Sequence, residues 1–266
     1  MVLDSSVVSY PERGPYGDPK FRGNTSGFLV RDLIAFYKAK SVLDPMEGSG
    51  TTRDVCREMN VEYDGFDLKF GFDALADALP PKQYDLIFLH PPYWKMIQYS
   101  QDPRDLSNAP TFEQFLDVLL GLIERLAEYL NENGKLAVLI GDMRKDGQFY
   151  PFGAYLQVFH RKELKDKLVK IQHNTRSQGT FYGRERDWVP IMHEEVLIFR
   201  PWKRLTWEGL VARVLQDVGG RAELSELYGV IGRHPKTLTN PTWQATVRRT
   251  LQQTAVPVER GVWKAP

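Results

Sequence analysis

Between residues 41 and 142 short apolar runs alternate with stretches of helical periodicity, and few sequence features restrict a fold as strongly as that alternation. Residues 41–44 (SVLD) are expected to form a buried strand, 51–59 a helix, 62–68 a second strand and 84–90 a third. A long amphipathic helix over 112–130 and a fourth strand over 135–142 follow. This order predicts an α/β fold, a parallel sheet with flanking helices whose ligands bind beyond the carboxyl ends of the strands. Two further strands, 168–175 and 194–200, are expected, joined by a polar loop over 176–193. So long a loop within a compact domain points to function rather than idle connection. With 266 residues and 42% hydrophobic content, the chain can bury one sizeable core and a small second domain.

The expected strand ends carry the polar chemistry. After SVLD comes Pro45-Met46-Glu47-Gly48-Ser49-Gly50-Thr51-Thr52, a glycine-containing turn running into a helix. Free N–H groups at that helix start suit a carboxylate or phosphate, although a plain strand-to-helix turn uses the same residues. The second strand runs into Gly65-Phe66-Asp67, placing a carboxylate 23 residues after Asp44, where nucleotide-binding sheets hold a ribose diol. Phe72 and Asp73 follow as an aromatic wall and an acceptor for an adenine ring. Together these elements point to an adenosine-bearing cofactor. The third strand ends in His90-Pro91-Pro92-Tyr93-Trp94, a rigid, ring-rich corner that serves either chemistry or, as a proline-braked strand end, stability alone.

At these positions the chain resembles a known family. DPMEGSGTT at 44–52 is similar to the DPFxGSGTT cofactor motif of amino-group DNA methyltransferases, and HPPYW at 90–94 to their (Asp/Asn/Ser)-Pro-Pro-(Tyr/Phe/Trp) catalytic motif. FRGNTSGFLVRDLIAFY at 21–37 resembles the segment that precedes the cofactor strand in that family. The resemblance runs from residue 20 to about residue 200. It implies a Rossmann-like methyltransferase sheet, S-adenosyl-L-methionine as cofactor, and methyl transfer to an exocyclic amino group of a base flipped out of double-stranded DNA. It also implies that Asn24, Ser26, Asp44, Pro45, Gly48, Ser49, Gly50, Thr51, Thr52, Asp67, Phe72 and Asp73 hold the cofactor, and that His90, Pro91, Pro92 and Tyr93 form the catalytic corner. On this reading the Pro91 carbonyl faces the amine and Tyr93 stacks on the base. His90 replaces the family's acidic, amide or serine residue; it accepts a hydrogen bond from the amine and is suited to take up the departing proton near neutral pH. Adenine N6 is favoured over cytosine N4. An RNA or protein amino-group methyltransferase and a non-catalytic DNA-binding regulator are the other readings, and a companion restriction endonuclease is a partner the resemblance admits.

Charge divides unevenly along the chain. The net charge is +1, yet residues 203–266 hold ten Lys/Arg against five Asp/Glu, a net of +5. Two domains are expected, a methyltransferase domain over 1–202 and a DNA-binding domain over 203–266. In the second, 207–218, 223–231 and 242–253 read as short helices and 256–263 as a ribbon, a pattern that resembles a winged helix-turn-helix. Gln244 and Arg248 fall on the third helix away from Trp243, Val247 and Leu251 and are candidates to face DNA; a protein-binding winged helix has the same pattern. Within the 176–193 loop, Arg176, Arg184 and Arg186 interleave with Phe181, Tyr182 and Trp188, which suits phosphate contact and base stacking as well as a solvated loop. SQDPRDLSN at 100–108 suits DNA contact, ordering of the catalytic loop, or a capped surface turn. The single cysteine, Cys56, excludes an intramolecular disulfide, and no His, Cys or carboxylate set has metal-ligand spacing. No apolar run approaches the length that spans a bilayer, so neither metal nor membrane is expected and the expected compartment is cytoplasmic.

Overall fold

A computed structural model describes residues 3–173, 188–202, 206–232, 235–237 and 240–266. The chain forms two compact units, Met1–Trp202 and Lys203–Pro266. The first contains, in order, β1 (Val7–Ser9), α1 (Gly27–Tyr37), β2 (Ser41–Asp44), α2 (Thr51–Met59), β3 (Glu62–Gly65), β4 (Tyr84–Leu89), α3 (Phe112–Ala127), β5 (Leu130–Ile140), β6 (Met143–Lys145), β7 (Gln148–Tyr150), α4 (Phe152–Phe159), β8 (Leu164–Ile171) and β9 (His193–Phe199). Among the described residues, seven of these strands form one sheet in the order β1-β8-β9-β5-β4-β2-β3, and β6 pairs with β7 as a hairpin. It is a mixed α/β, Rossmann-like sheet with flanking helices.

The central strands are buried on both faces, which explains why they read as unbroken apolar runs. In β4, Leu86 through Leu89 are at most 2% exposed. Alternate residues serve two cores. Leu43, Ile87, Leu89, Leu136, Val138 and Ile140 pack under α3 and α4, while Val42, Leu86, Phe88, Ala137 and Leu139 pack under α1 and α2. The α3 helix starts at Thr111, whose hydroxyl accepts the Gln114 N–H at 3.2 Å, and turns Phe115, Leu119, Leu122, Ile123 and Leu126 inward.

The four strands of the alternating region, β2 to β5, are parallel as expected, and the last strand reverses. β9 runs antiparallel to both β5 and β8, and the other neighbouring pairs are parallel. A parallel return requires a crossover that carries the chain back to the starting edge; residues 172–192 instead join two strand ends at one edge. The first residues of β9 therefore arrive beside the last residues of β4 and β5. The second strand also ends sooner than expected, at Gly65, because Asp67 starts a short 3-10 turn, Leu68–Phe70, by accepting the Lys69 N–H at 2.9 Å.

The second unit holds α5 (Trp207–Asp217), β10 (Arg221–Glu223), α6 (Leu224–Ile231), α7 (Trp243–Thr254), β11 (Val256–Glu259) and β12 (Val262–Lys264), with the strands in the order β10-β12-β11. Leu210, Val211, Val214, Leu215, Leu227, Ile231, Val247 and Leu251 form its core. Trp243 packs edge-on against Tyr228 at 5.4 Å, leaving Gln244 and Arg248 exposed on α7. No helix among the described residues is long and apolar enough to cross a membrane, and no group of three or more His, Cys, Asp or Glu among them is placed to hold a metal ion.

Candidate active site at the carboxyl edge of the sheet

A cleft of about 290 Å³ opens beyond the ends of β2, β3 and β4. Its floor is the turn after β2. Asp44 is buried, its carboxylate accepting the Met46 N–H at 3.1 Å; burial, reinforced by the Glu47 and Asp67 charges, pushes its pKa up to about 7 against the opposing Thr52 and Met46 hydrogen bonds. Gly48 takes a left-handed φ of 49°, and its N–H donates to Asp67 Oδ2 at 2.8 Å, tying the turn to the end of β3. Ser49 and Thr51 both donate to Asn24 Oδ1, at 2.8 and 2.5 Å, which brings the 21–25 segment over the turn. Phe72 stacks on Phe66 at 4.3 Å, and Asp73 Oδ1 accepts the Leu75 N–H at 2.9 Å.

Asn24, Asp44, Pro45, Gly48, Ser49, Thr51, Thr52, Asp67, Phe72, Asp73, His90, Pro91 and Pro92 all line this cleft. Two expected cofactor residues do not. Gly50, at φ 82°, is the N-cap of α2, and Ser26 donates to the Glu12 carbonyl at 3.1 Å and lines a second cleft. Sequence reading misses Phe21, Thr25 and Glu47, all of which line the first cleft. Thr25 Oγ1 is buried there without a partner among the described residues. Glu47 braces the turn by accepting from Arg53 at 2.9 Å and Tyr63 at 2.8 Å. The 100–108 segment forms the facing wall and is knit to itself: Asp105 accepts from the Ser100 N–H and hydroxyl and from the Ser107 N–H, each at 2.9 Å. Of its three readings, the self-capped loop is the one with observed bonds.

The corner after β4 has a different construction. Trp94 adopts φ 40°, an unfavourable conformation for a bulky residue, and is held there by its surroundings. Its indole N–H donates to the Ala109 carbonyl at 2.9 Å, and its ring meets Phe112 and Tyr150 at 5.6 and 5.1 Å. His90 Nε2 lies 3.0 Å from the Tyr93 hydroxyl, which donates to Glu194 Oε1 at 2.8 Å; Lys170 Nζ donates to Glu194 Oε2 at 2.7 Å. Burial lowers the His90 pKa to about 4, with Glu194 opposing. This corrects the expectation of proton uptake near neutral pH: the imidazole is already neutral there and holds a proton too weakly. Glu194 and Lys170 have no local sequence signal, since they join the corner only through the pairing of β8 with β9.

The second cleft, about 1260 Å³, lies on the other side of this corner and shares Gly23, Asn24, His90, Pro91 and Tyr99 with the first. Arg13, Arg22, Lys95, Arg144, Lys145 and Lys170 give its lining a basic excess over Asp142, Asp146 and Glu194. The Arg144 guanidinium sits over Phe149 at 5.0 Å and Trp188 at 5.8 Å. Arg176, Arg184 and Arg186 lie outside the described residues.

No protein-family profile matches the chain, and no curated protein matches it. Solved structures do. The CcbJ methyltransferase of Streptomyces caelestis is 12% identical with a TM-score of 0.39, over 66% of this chain and 88% of that one. A candidate class I S-adenosylmethionine-dependent methyltransferase of Listeria monocytogenes is 19% identical with a TM-score of 0.40, over 66% and 58%. TTHA0409 of Thermus thermophilus, described as a candidate DNA modification methylase, is 19% identical with a TM-score of 0.33, over 60% and 52%. The chain is thus similar in structure to methyltransferases, at low identity.

Proposed function

We propose that the chain transfers a methyl group from S-adenosyl-L-methionine to an exocyclic amino group of a base in double-stranded DNA, adenine N6 before cytosine N4. One observation carries this reading: His90 and Pro91 form a wall common to a small cleft with adenosine-binding chemistry and a wider, basic cleft. The residues of the small cleft fit the cofactor. Asp67 would hold the ribose hydroxyls and Phe72 and Asp73 the adenine, while Asn24 and the unpartnered Thr25 hydroxyl suit the polar amino-acid end. When bound, the cofactor supplies an electrophilic methyl group on a sulfonium. The chain's part is to hold the amine. A base amine is a poor nucleophile because its lone pair is delocalised into the ring, so acceptors must fix its hydrogens while the nitrogen pyramidalises. His90, a neutral imidazole above about pH 4, and the Pro91 carbonyl supply them.

The basic lining of the wider cleft suits phosphates, and Arg176, Arg184 and Arg186 are assigned the same role. Residues 203–266 are read as a winged-helix module that presents Gln244 and Arg248 to DNA, and a companion restriction endonuclease would be the natural counterpart of such an activity. Labelled cofactor offered with duplex DNA, RNA and protein side by side tests the reading. DNA should be labelled, and His90→Ala should reduce the rate by about 10² to 10³ with little change in cofactor affinity. Labelling of RNA or protein alone would move the substrate class; DNA binding with no transfer to any of the three would make the chain a regulator.

A further inference from the structure

The four side chains at the corner form a hydrogen-bonded row whose proton order can be worked out from its ends. Lys170 and Glu194 face each other in directly paired positions of β8 and β9, and their side chains are only 10% and 7% exposed. An ammonium can only donate, so Lys170 donates a hydrogen bond to Glu194 Oε2. Burial alone would raise Glu194, but its carboxyl is held below its ordinary value, the Lys170 charge being the largest opposing interaction, with hydrogen bonds from Lys170 and Tyr93 beside it. Ionised, Glu194 can only accept. The Tyr93 phenol, raised well above its ordinary value by burial, keeps its single proton and points it at Glu194 Oε1. What the phenol then offers His90 is a lone pair, and only an N–H can meet it at 3.0 Å.

We infer that the buried Lys170 and Glu194 pair, acting through the Tyr93 hydroxyl, fixes His90 as the Nε2–H tautomer and leaves Nδ1 as the bare acceptor between the two clefts. Nδ1 makes no hydrogen bond among the described residues, while His90 lines both clefts. Glu194, Lys170 and Tyr93 are thus positioning residues: they decide which imidazole nitrogen receives a donor. The matter is consequential because an amine arrives with N–H groups, and the opposite tautomer would meet it donor to donor. Gly141, just after β5, makes room for the row; a Cβ there would stand 3.1 Å from the Tyr93 ring and 3.2 Å from the Glu194 side chain. The inference rests on the proposal that position 90 accepts the target amine, but the tautomer itself is measurable without any substrate.

The test is long-range nitrogen–proton NMR of the full-length protein carrying ¹⁵N-histidine at pH 8, the His90 signals being assigned by their loss in His90→Gln. Wild type should show a protonated Nε2 and an unprotonated Nδ1. In Glu194→Gln the Lys170 ammonium captures the amide oxygen, the amide NH₂ turns to Tyr93, and the phenol proton swings to Nε2, so His90 should convert to the Nδ1–H tautomer. Methyl transfer should then fall by on the order of 10²-fold, the scale of one misdirected polar group in an active site. Amide spectra of β9 check that the variant is folded. If it does not fold, the wild-type spectrum still decides, because an Nδ1–H tautomer there overturns the inference. So does an unchanged tautomer in a folded Glu194→Gln. Wild-type protein with the stated tautomer and no transfer to any amine would instead overturn the proposed activity and leave the positioning intact.

Discussion

The Asp44 turn and the His90 corner stand on adjacent strands, β2 and β4, but are held together in opposite ways. The turn is a mesh of near neighbours: Gly48 reaches Asp67, Thr51 reaches Asn24 and Arg53 reaches Glu47, all within 27 positions in sequence. The corner depends on a single row that runs through Glu194, 101 positions beyond Tyr93, and on one strained, well-packed indole. A mesh degrades gradually when one strand of it is cut, whereas a row fails at any link. Perturbing the two regions should therefore give unequal results, and three measurements can break or sharpen the contrast.

The largest effect is expected at the anchor of the corner. Trp94→Ala removes the bond to Ala109 and the packing against Phe112 and Tyr150, and should lower stability by about 3–5 kcal/mol in urea unfolding, the range for buried aromatic truncation. A loss below about 1 kcal/mol would show that the corner does not lean on this ring. Asp67→Ala, in the mesh, should weaken binding of S-adenosyl-L-methionine by about 1–3 kcal/mol in calorimetry while stability changes less, since Gly48 and Lys69 each lose one partner and the bonds to Asn24 and Glu47 remain. Unchanged cofactor affinity would remove Asp67 from the cofactor site.

The smallest effect concerns pH. The Asp44 pKa is raised in the folded state to about 7, so the folded protein favours its protonated form. Its contribution to stability is present in full below the ordinary carboxylate range and is lost as pH rises through about 7. Asp44→Asn, neutral at every pH, should match wild type near pH 3, below the ordinary carboxylate range, and between pH 6 and pH 7 should gain on it by about 1 kcal/mol, or about 2–4 °C in the unfolding midpoint. Parallel unfolding curves for the two proteins at these pH values would mean that Asp44 stays ionised.

What can be read from the sequence follows the same division. The β2 strand and α2 helix occur at the residues where the sequence predicts them, because Val42, Leu43 and Asp44 form a buried run and Gly50, at the N-cap, starts the helix. Most of the turn's cleft-lining residues are legible for the same local reason. Ser26 lines the other cleft, its hydroxyl turned to the carbonyl of Glu12, 14 positions away, because a motif gives order along the chain and not which side chain turns where. Glu194 and Lys170 escape notice because each reads as an ordinary residue of its own strand. Their meaning arises only when β9 reverses and sets them opposite each other beside His90. The His90 pKa is out of reach likewise, since it reflects burial by elements far apart in sequence.

The reversed strand carries one more consequence. Val196, Leu197, Ile198 and Phe199 are each fully buried, so β9 has no polar face to mark its alignment, and sliding it by one residue would merely exchange one apolar side chain for another. The two glutamates at its start have no such latitude. They project to opposite faces, Glu194 bonded to Lys170 and Glu195 to Lys167 at 2.6 Å, and a slip in either direction would part both lysines from these partners. The adjacent carboxylates thus act as an alignment key for a strand that hydrophobic patterning leaves free to drift.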